Sequence, residues 1–137
     1  MPITLQLDEV SGCVYSTAHG IVGVDEIDAH LRAKAAANFL SDPEIFDARD
    51  VTLDLSVQDL QHIAKVMRET MGSQKPGPVA IVTNSAFIES LARAYAAMTV
   101  KQNPAFRIFK TLAEAKAWAI GERHGSAFHS PQPAQGE

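Results

Sequence analysis

The segment that decides the fold is Pro78–Trp118, PVAIVTNSAFIESLARAYAAMTVKQNPAFRIFKTLAEAKAW. It opens with an unbroken apolar run at residues 79–82, which is typical of a strand covered on both faces. A polar cap and an amphipathic helix follow, and then a short strand at residues 106–109. Thr111 and Glu114 have the spacing of a capping box at the start of a last helix. Two successive strand–helix repeats predict parallel strands joined by helices.

Towards the N-terminus the pattern starts with strands and then changes to a helix. Apolar and polar residues alternate over residues 3–7, which predicts a strand with one buried face. A second strand is predicted at Cys13–Ala18, ending at His19 and Gly20, and it forms an antiparallel hairpin with the first. From Val24 the apolar residues recur at helical spacing, so a helix follows.

The middle of the chain predicts a loop followed by a third strand. Ser41–Asp50 is polar and contains Pro43, so we expect a loop there, with at most one helical turn around Ile45 and Phe46. Val51–Leu55 then alternates as a strand does.

A long amphipathic helix is predicted after the third strand. Ser56 and Asp59 have capping-box spacing at its start, and Gly72 is placed to end it. The complete order is ββαβαβαβα. The predicted fold is therefore α/β, with a mixed, mostly parallel five-stranded sheet and four helices in one domain, residues 1–121. Residues 122–137 are expected to form a flexible C-terminal tail.

Composition limits the class of protein. With 137 residues, 46% of them hydrophobic and 20% charged, the chain can bury a core without staples. Its net charge is −4 and it has no run of basic residues, so neither nucleic acid nor an anionic membrane surface is an expected partner. The sequence shows no signal peptide and no membrane span, and Cys13 is the single cysteine. A cytoplasmic location is predicted.

Three segments resemble one known family. They are Gly20–Leu31 (GIVGVDEIDAHL), Val51–Ser56 (VTLDLS) and Pro78–Trp118. In these segments and in its element order, the chain is similar to the SpoIIAA-like family, which joins STAS-type domains with CRAL-TRIO-like relatives. The resemblance covers residues 3–120.

The resemblance implies a regulatory role, but the phosphorylation switch of the family is not expected in this chain. STAS domains bind partner proteins, and many are switched by phosphorylation of a serine that follows a short loop, in the sequence Asp-Ser-Ser-Gly. Here Ser56 leads directly into the helix and is predicted to cap it. CRAL-TRIO-like relatives bind lipids in a large pocket, for which 137 residues leave little room. We therefore predict a non-catalytic regulatory or protein-interaction domain, with a homodimer or a protein partner and no cofactor. A small-ligand (anion or lipid) binding domain is the alternative.

Four polar residues are candidates for a ligand or partner rim at the strand carboxyl ends: Asp54, Ser56, Asn84 and Ser85. Ligands of α/β folds bind at that edge, where helix N-termini also present free backbone N–H groups. The competing interpretation is that these side chains only cap helices and finish strands.

Tyr95 and Trp118 are candidates for an apolar pocket, although such aromatic residues more often fill a core. The run of small residues that includes Ala92, Ala96 and Ala97 predicts a flat helix surface suited to self-association.

The sequence favours a protein that is not an enzyme. The five histidines lie at dispersed positions without metal-ligand spacing: His19, His30, His62, His124 and His129. Cys13 has no cationic neighbour in sequence that would activate it. No Gly-x-Ser-x-Gly motif is present. No metal and no catalytic residues are predicted.

Overall fold

The computed structural model describes residues 2–99, 101 and 105–128. Its strands and helices are, in chain order, β1 (Ile3–Asp8), β2 (Cys13–Gly23), α1 (Val24–Ala36), β3 (Glu44–Asp54), α2 (Val57–Met71), β4 (Val79–Val82), α3 (Ala86–Met98), β5 (Phe106–Phe109) and α4 (Leu112–Phe128). This order confirms the predicted ββαβαβαβα fold.

The five strands form one mixed sheet in the order β1-β2-β3-β4-β5. The β1–β2 pair is antiparallel, and the other three pairs are parallel. Each parallel connection moves one strand in the same direction, so right-handed crossovers place α1, α2 and α3 on one face of the sheet. We call this the three-helix face. Helix α4 packs on the opposite face, the α4 face, where Ala115 and Ala119 contact Ala80 and Val82.

The prediction of a loop at Ser41–Asp50 is wrong, because most of this segment belongs to β3, which begins at Glu44 and is 11 residues long. Ile45 and Phe46 lie in this strand and not in a helical turn. The charged residue Glu44 contributed to the polar composition from which the loop was predicted, but its side chain is buried in the structure. Proline before a strand is ordinary, because the residue preceding it favours extended backbone and the ring fixes φ.

Strand β2 also runs farther than predicted, through His19 and Gly20 to Gly23. A register shift between Thr17 and His19 interrupts its ladder with β3, and Gly20 has φ +73°. Glycine adopts this left-handed conformation at little cost, so the chain passes the irregularity and stays a strand. Pairing with β3 continues to Gly23 opposite Asp54.

The predicted helix ends are confirmed. The Asp59 N–H donates to Ser56 Oγ at 3.1 Å, and the Ser56 N–H donates to Asp59 Oδ2 at 2.9 Å. The Ile88 N–H donates to Ser85 Oγ at 3.2 Å, which caps α3. Gly72 ends α2 with φ +56°. These polar side chains satisfy backbone groups that the helices leave unpaired.

Helix α4 differs from the predicted end of the domain, because it continues past Gly121 to Phe128. Glycine inside a helix weakens it without breaking it. The remainder of the predicted tail, residues 129–137, lies outside the described residues. None of the helices described is long and apolar enough to cross a membrane.

Candidate functional site

A cavity of about 140 Å³ lies between the three-helix face of the sheet and helices α1, α2 and α3. Most of its lining is apolar, and aliphatic side chains come from every surrounding element: Ile27, Leu31, Leu53, Leu55, Leu60, Ile63, Met67, Val79, Ile81, Ile88 and Leu91. Four further lining residues carry titratable groups: His30, Lys34, Glu44 and Tyr95. The structure thus places ionisable groups on the wall of an apolar space.

Glu44 is the centre of a buried ionic cluster made of Ser16, His30, Lys34 and Glu44. Lys34 Nζ donates to Glu44 Oε1 at 2.5 Å. Ser16 Oγ donates to Glu44 Oε2 at 2.6 Å, and His30 Nε2 lies 2.8 Å from the same oxygen. All four residues are buried, so their hydrogen bonds are shielded from water.

Simple periodicity brings the cluster together. His30 and Lys34 are three and seven residues after Ile27, and this spacing puts all three on the inner stripe of α1. Glu44 alternates with Ile45, so it projects from β3 toward the three-helix face. Ser16 lies beside it, since Ser16 pairs with Phe46 across the β2–β3 ladder.

The cluster fixes the charge of Glu44. Burial alone would raise the pKa of this carboxyl, because it disfavours the ionised form. The charges of Lys34 and His30 and the hydrogen bonds from both oppose burial, and the pKa of Glu44 falls well below its usual range. Glu44 is therefore a carboxylate that accepts hydrogen bonds from three sides.

This arrangement does not activate a nucleophile. In a Ser-His-acid relay the imidazole lies between the hydroxyl and the carboxylate. Here the carboxylate lies between them, and no hydrogen bond joins Ser16 to His30 in the described part of the chain. The cluster is suited to hold a charge in a fixed place and to present donors, and it lacks the geometry for acyl transfer.

The two aromatic candidates lie on opposite faces of the sheet. Tyr95 lines the cavity, and its ring centroid is 5.7 Å from that of Phe106. Trp118 packs on the α4 face, 5.7 Å from Phe109. Burial, followed by the charge of Glu44, raises the pKa of Tyr95 to about 12. Tyr95 thus belongs to the cavity, whereas Trp118 belongs to a different core.

The four rim candidates lie at different levels along the strand direction, because β3 and β4 end at different points. Val82, the last residue of β4, pairs with Asp47, whereas β3 continues for seven more residues to Asp54. Because each residue of a strand advances about 3.3 Å, Asp54 lies roughly 23 Å farther along β3 than Asp47. Asn84 is exposed, and Ser56 and Ser85 act as helix caps. The structure places these four residues on no shared surface that would support a common rim, and the rim stays a prediction.

The small residues of α3 do not form the flat outer surface that the sequence predicted. Ala92 is buried and lines the cavity, whereas Ala97 is exposed. Residues five apart on a helix lie on different sides of it, and Ala92 belongs to the inner stripe. The small side chain at position 92 therefore leaves room inside the domain.

Sequence reasoning missed the cluster, although one signal could have revealed it. His30 and Lys34 interrupt an apolar stripe on α1, and a charged side chain at a core position requires a partner. The partner, Glu44, lies in the segment for which the sequence predicts a loop, at the start of β3. Among the described residues, no group of three or more His, Cys, Asp or Glu side chains could hold a metal ion.

A second, wider concavity of about 470 Å³ runs between the edge strand β1 and helix α1. Several of its lining residues are exposed, among them Thr4, Asp25 and Ala29. His30 also reaches it, but that side chain already contacts Glu44. This concavity is partly lined by exposed residues, and the cavity between the sheet and the three helices, whose lining residues are buried or half-buried, is the better candidate site.

Comparisons with known proteins identify the fold. The sequence matches no protein-family model and no curated protein. An uncharacterised DUF3478-family protein with a SpoIIAA-like fold from Shewanella loihica PV-4 has a TM-score of 0.56 and 16% identity, over 85% of this chain and 91% of that one. The anti-sigma factor antagonist SpoIIAA in its unphosphorylated form has a TM-score of 0.51 and 11% identity, over 90% of this chain and 98% of that one. The fold is therefore SpoIIAA-like, as the sequence resemblance predicted.

Proposed function

We propose that this protein is a non-catalytic binding domain whose internal cavity takes up a small apolar molecule. The observation that carries the proposal is the cavity itself, about 140 Å³ and lined mostly by aliphatic side chains. Protein interiors are normally packed with few voids larger than a water molecule. An apolar cavity of about 150 Å³ in another protein stays dry and takes up benzene or xenon.

The ionic cluster supports binding over catalysis. Its carboxylate is saturated by three neighbours, and the geometry of a proton relay is absent from the described residues. What remains is a shaped apolar space with a few fixed polar groups, which is the usual design of a small-molecule site.

Benzene is the probe that tests the proposal. We expect titration with benzene to shift the NMR methyl resonances of Ile63, Ile88 and Leu91, which line the cavity, and to raise the melting temperature through linkage. At a hundredfold excess over Kd the linkage gain is about 2.7 kcal/mol.

Two substitutions on α3 provide matched controls. Ala92→Leu places a large side chain in the cavity and should abolish the benzene-induced shifts, whereas Ala97→Leu adds the same atoms on the exposed side and should leave them intact. If benzene leaves the methyl resonances of the wild type unmoved, or if both variants bind it equally, the proposed function is wrong.

A second candidate function is a regulatory protein-interaction domain, as a homodimer or with another protein. The SpoIIAA structure with a similar fold is described as an anti-sigma factor antagonist. In this chain, Val57 and Phe87 lie in the first turns of α2 and α3, and each is 58% exposed. An exposed apolar side chain of this kind gives a protein partner an apolar surface to cover.

Light scattering tests this second candidate. A dimer mass that falls to the monomer mass in Phe87→Ser, while Val10→Ser keeps the dimer, would support self-association through the start of α3. Val10 is a fair control because it is 98% exposed in the β1–β2 turn. The second candidate is contradicted if the protein is monomeric at every concentration and if Phe87→Ser retains every protein that the wild type binds in a pull-down.

A further inference from the structure

Lys34 has more hydrogen-bond donors than the described residues satisfy. An ammonium carries three N–H groups. In the described ranges of the chain, Lys34 Nζ makes one hydrogen bond, to Glu44 Oε1. The side chain is 3% exposed and lines the cavity. Buried donors without an acceptor are costly, so the other N–H groups favour an acceptor inside the cavity.

Tyr95 is a second residue of the cavity wall that carries a hydrogen-bond donor. It reaches the cavity from α3, opposite the sheet residues, and no side-chain hydrogen bond of its hydroxyl exists within the described residues. Since the pKa of Tyr95 is raised to about 12 by burial and then by the charge of Glu44, the hydroxyl stays protonated and can donate. Donors from two elements therefore meet an otherwise apolar space.

The charge balance of the cluster decides which acceptor fits. When His30 is neutral, the Lys34 ammonium and the Glu44 carboxylate already neutralise each other at 2.5 Å. A further carboxylate would bring a buried charge with no new counterion, and such a charge is expensive to desolvate. A carbonyl oxygen accepts the same hydrogen bonds without adding charge.

We propose that the cavity binds a small apolar molecule bearing one uncharged carbonyl oxygen, such as a ketone or an ester, which accepts hydrogen bonds from Lys34 Nζ and Tyr95 Oη. This inference rests on the proposed function and adds the chemical class of the ligand. It assigns Lys34 two roles: it neutralises Glu44, and it recognises the ligand.

Three probes of equal non-hydrogen atom count test the inference: cyclopentanone, methylenecyclopentane and isobutyrate. The first two differ in shape only by the exchange of an oxygen for a CH₂ group, and the third carries a charge. We expect NMR titration at pH 8 to show cyclopentanone binding about tenfold or more tighter than methylenecyclopentane, since hydrogen bonds to charged groups contribute that much. Isobutyrate should bind more weakly than either.

Two variants locate the donors. Tyr95→Phe removes only the hydroxyl and should reduce the preference for cyclopentanone while leaving methylenecyclopentane binding unchanged. Lys34→Met combined with Glu44→Gln removes the ammonium without leaving an unpaired charge, and it should lower the ratio of the two affinities more than Tyr95→Phe does, because Tyr95 remains as the only proposed donor. If this double variant does not fold, Tyr95→Phe alone decides, because it keeps the ion pair.

The outcomes separate the two proposals. Equal binding of cyclopentanone and methylenecyclopentane would overturn the carbonyl inference and leave the binding function intact. Tighter binding of isobutyrate, or an affinity ratio unchanged in Tyr95→Phe, would also overturn it. If none of the three probes and no benzene binds, the proposed function itself fails.

Discussion

On the α4 face of the sheet, small side chains let a helix lie close to the strands. Ala80, Ala115 and Ala119 pack there with Cys13 and Ile45, and all five are fully buried. On the three-helix face, larger aliphatic residues hold α1, α2 and α3, and a cavity of about 140 Å³ remains between these helices and the sheet. One sheet thus carries a filled core on one side and an unfilled one on the other.

The difference shows where binding chemistry can be placed without weakening the whole domain. A close-packed face has no volume to give up, because an added methylene must push neighbours aside. The three-helix face combines open volume with the ionic cluster, and so it contains both the space and the polar groups that a ligand requires. The following predictions test this contrast between the two faces.

The largest expected effect is the loss of Glu44. Glu44→Ala leaves Lys34 and His30 buried without their carboxylate, and it should lower the free energy of unfolding by about 3–5 kcal/mol in urea denaturation. Glu69→Ala is the control, since Glu69 pairs with Lys65 on the exposed side of α2 at 4.0 Å and should cost less than about 1 kcal/mol. Similar costs for the two variants would mean that the cluster does not stabilise the three-helix face.

Adding volume should affect the two faces differently. Ala119→Leu forces a larger side chain into the filled α4 face and should cost about 1–3 kcal/mol of unfolding free energy. Ala92→Leu fills the cavity and should cost less than Ala119→Leu or be neutral. Chemical denaturation measures both values, and the contrast is refuted if Ala92→Leu costs as much as Ala119→Leu.

Acid should weaken the three-helix face through Glu44. Since the folded protein lowers the pKa of this carboxyl, its contribution is complete above the ordinary glutamate pKa of about 4.3 and is lost as the pH falls below it. The groups facing Glu44 are His30 and Lys34 from α1 and Tyr95 from α3. Between pH 5 and pH 3 we expect the free energy of unfolding to fall by roughly 1.5–2 kcal/mol more in the wild type than in Glu44→Gln.

Other carboxylates also contribute to acid sensitivity, but their effect is common to both proteins. Asp28 and Asp47 have pKa values below the usual range. For Asp28, burial raises the pKa, but hydrogen bonds from Arg32 and His62 outweigh it and lower the pKa; for Asp47, the hydrogen bond from Arg49 is the main cause. They cancel when the pH profiles of wild type and Glu44→Gln are subtracted. Parallel profiles would show that Glu44 is not held ionised by the cluster.

The smallest expected effect is that of Tyr95→Phe on stability. The Tyr95 hydroxyl has no hydrogen-bond partner on the cavity wall among the described residues, so its removal should change the free energy of unfolding by less than about 0.5 kcal/mol. A loss greater than about 1 kcal/mol would show that the hydroxyl stabilises the fold, and Tyr95 would then be a poor candidate for ligand recognition.

The fold could be predicted from the sequence wherever the hydrophobic periodicity and the helix-capping residues indicated the same element boundaries. Ser56, Ser85 and Gly72 marked helix ends through local spacing alone, and the structure uses them in those roles. The apolar run at residues 79–82 predicted a strand covered on both faces, and the two faces of β4 indeed contact different cores.

The candidate site could not be predicted from the sequence, because its residues interact across different secondary-structure elements. Glu44 reads as a loop residue until its partners are known, and those partners are 10 and 14 residues away, on a helix. Of the two predicted pocket residues, Tyr95 lines the cavity and Trp118 lies on the other face of the sheet. No single-sequence pattern reports which face of a sheet a distant helix will cover.

The long β2–β3 pair has a consequence for hydrogen exchange. In a parallel ladder, alternate residues direct their N–H groups to opposite neighbours. Residues 44–47 of β3 pair with both β2 and β4, but within the described part of the chain residues 50–54 pair with β2 alone. Amide protons should therefore exchange slowly throughout the first segment and alternate between slow and fast in the second. Leu53 lies in that alternating segment and lines the cavity, so the wall formed by β3 should open more readily than the wall formed by β4.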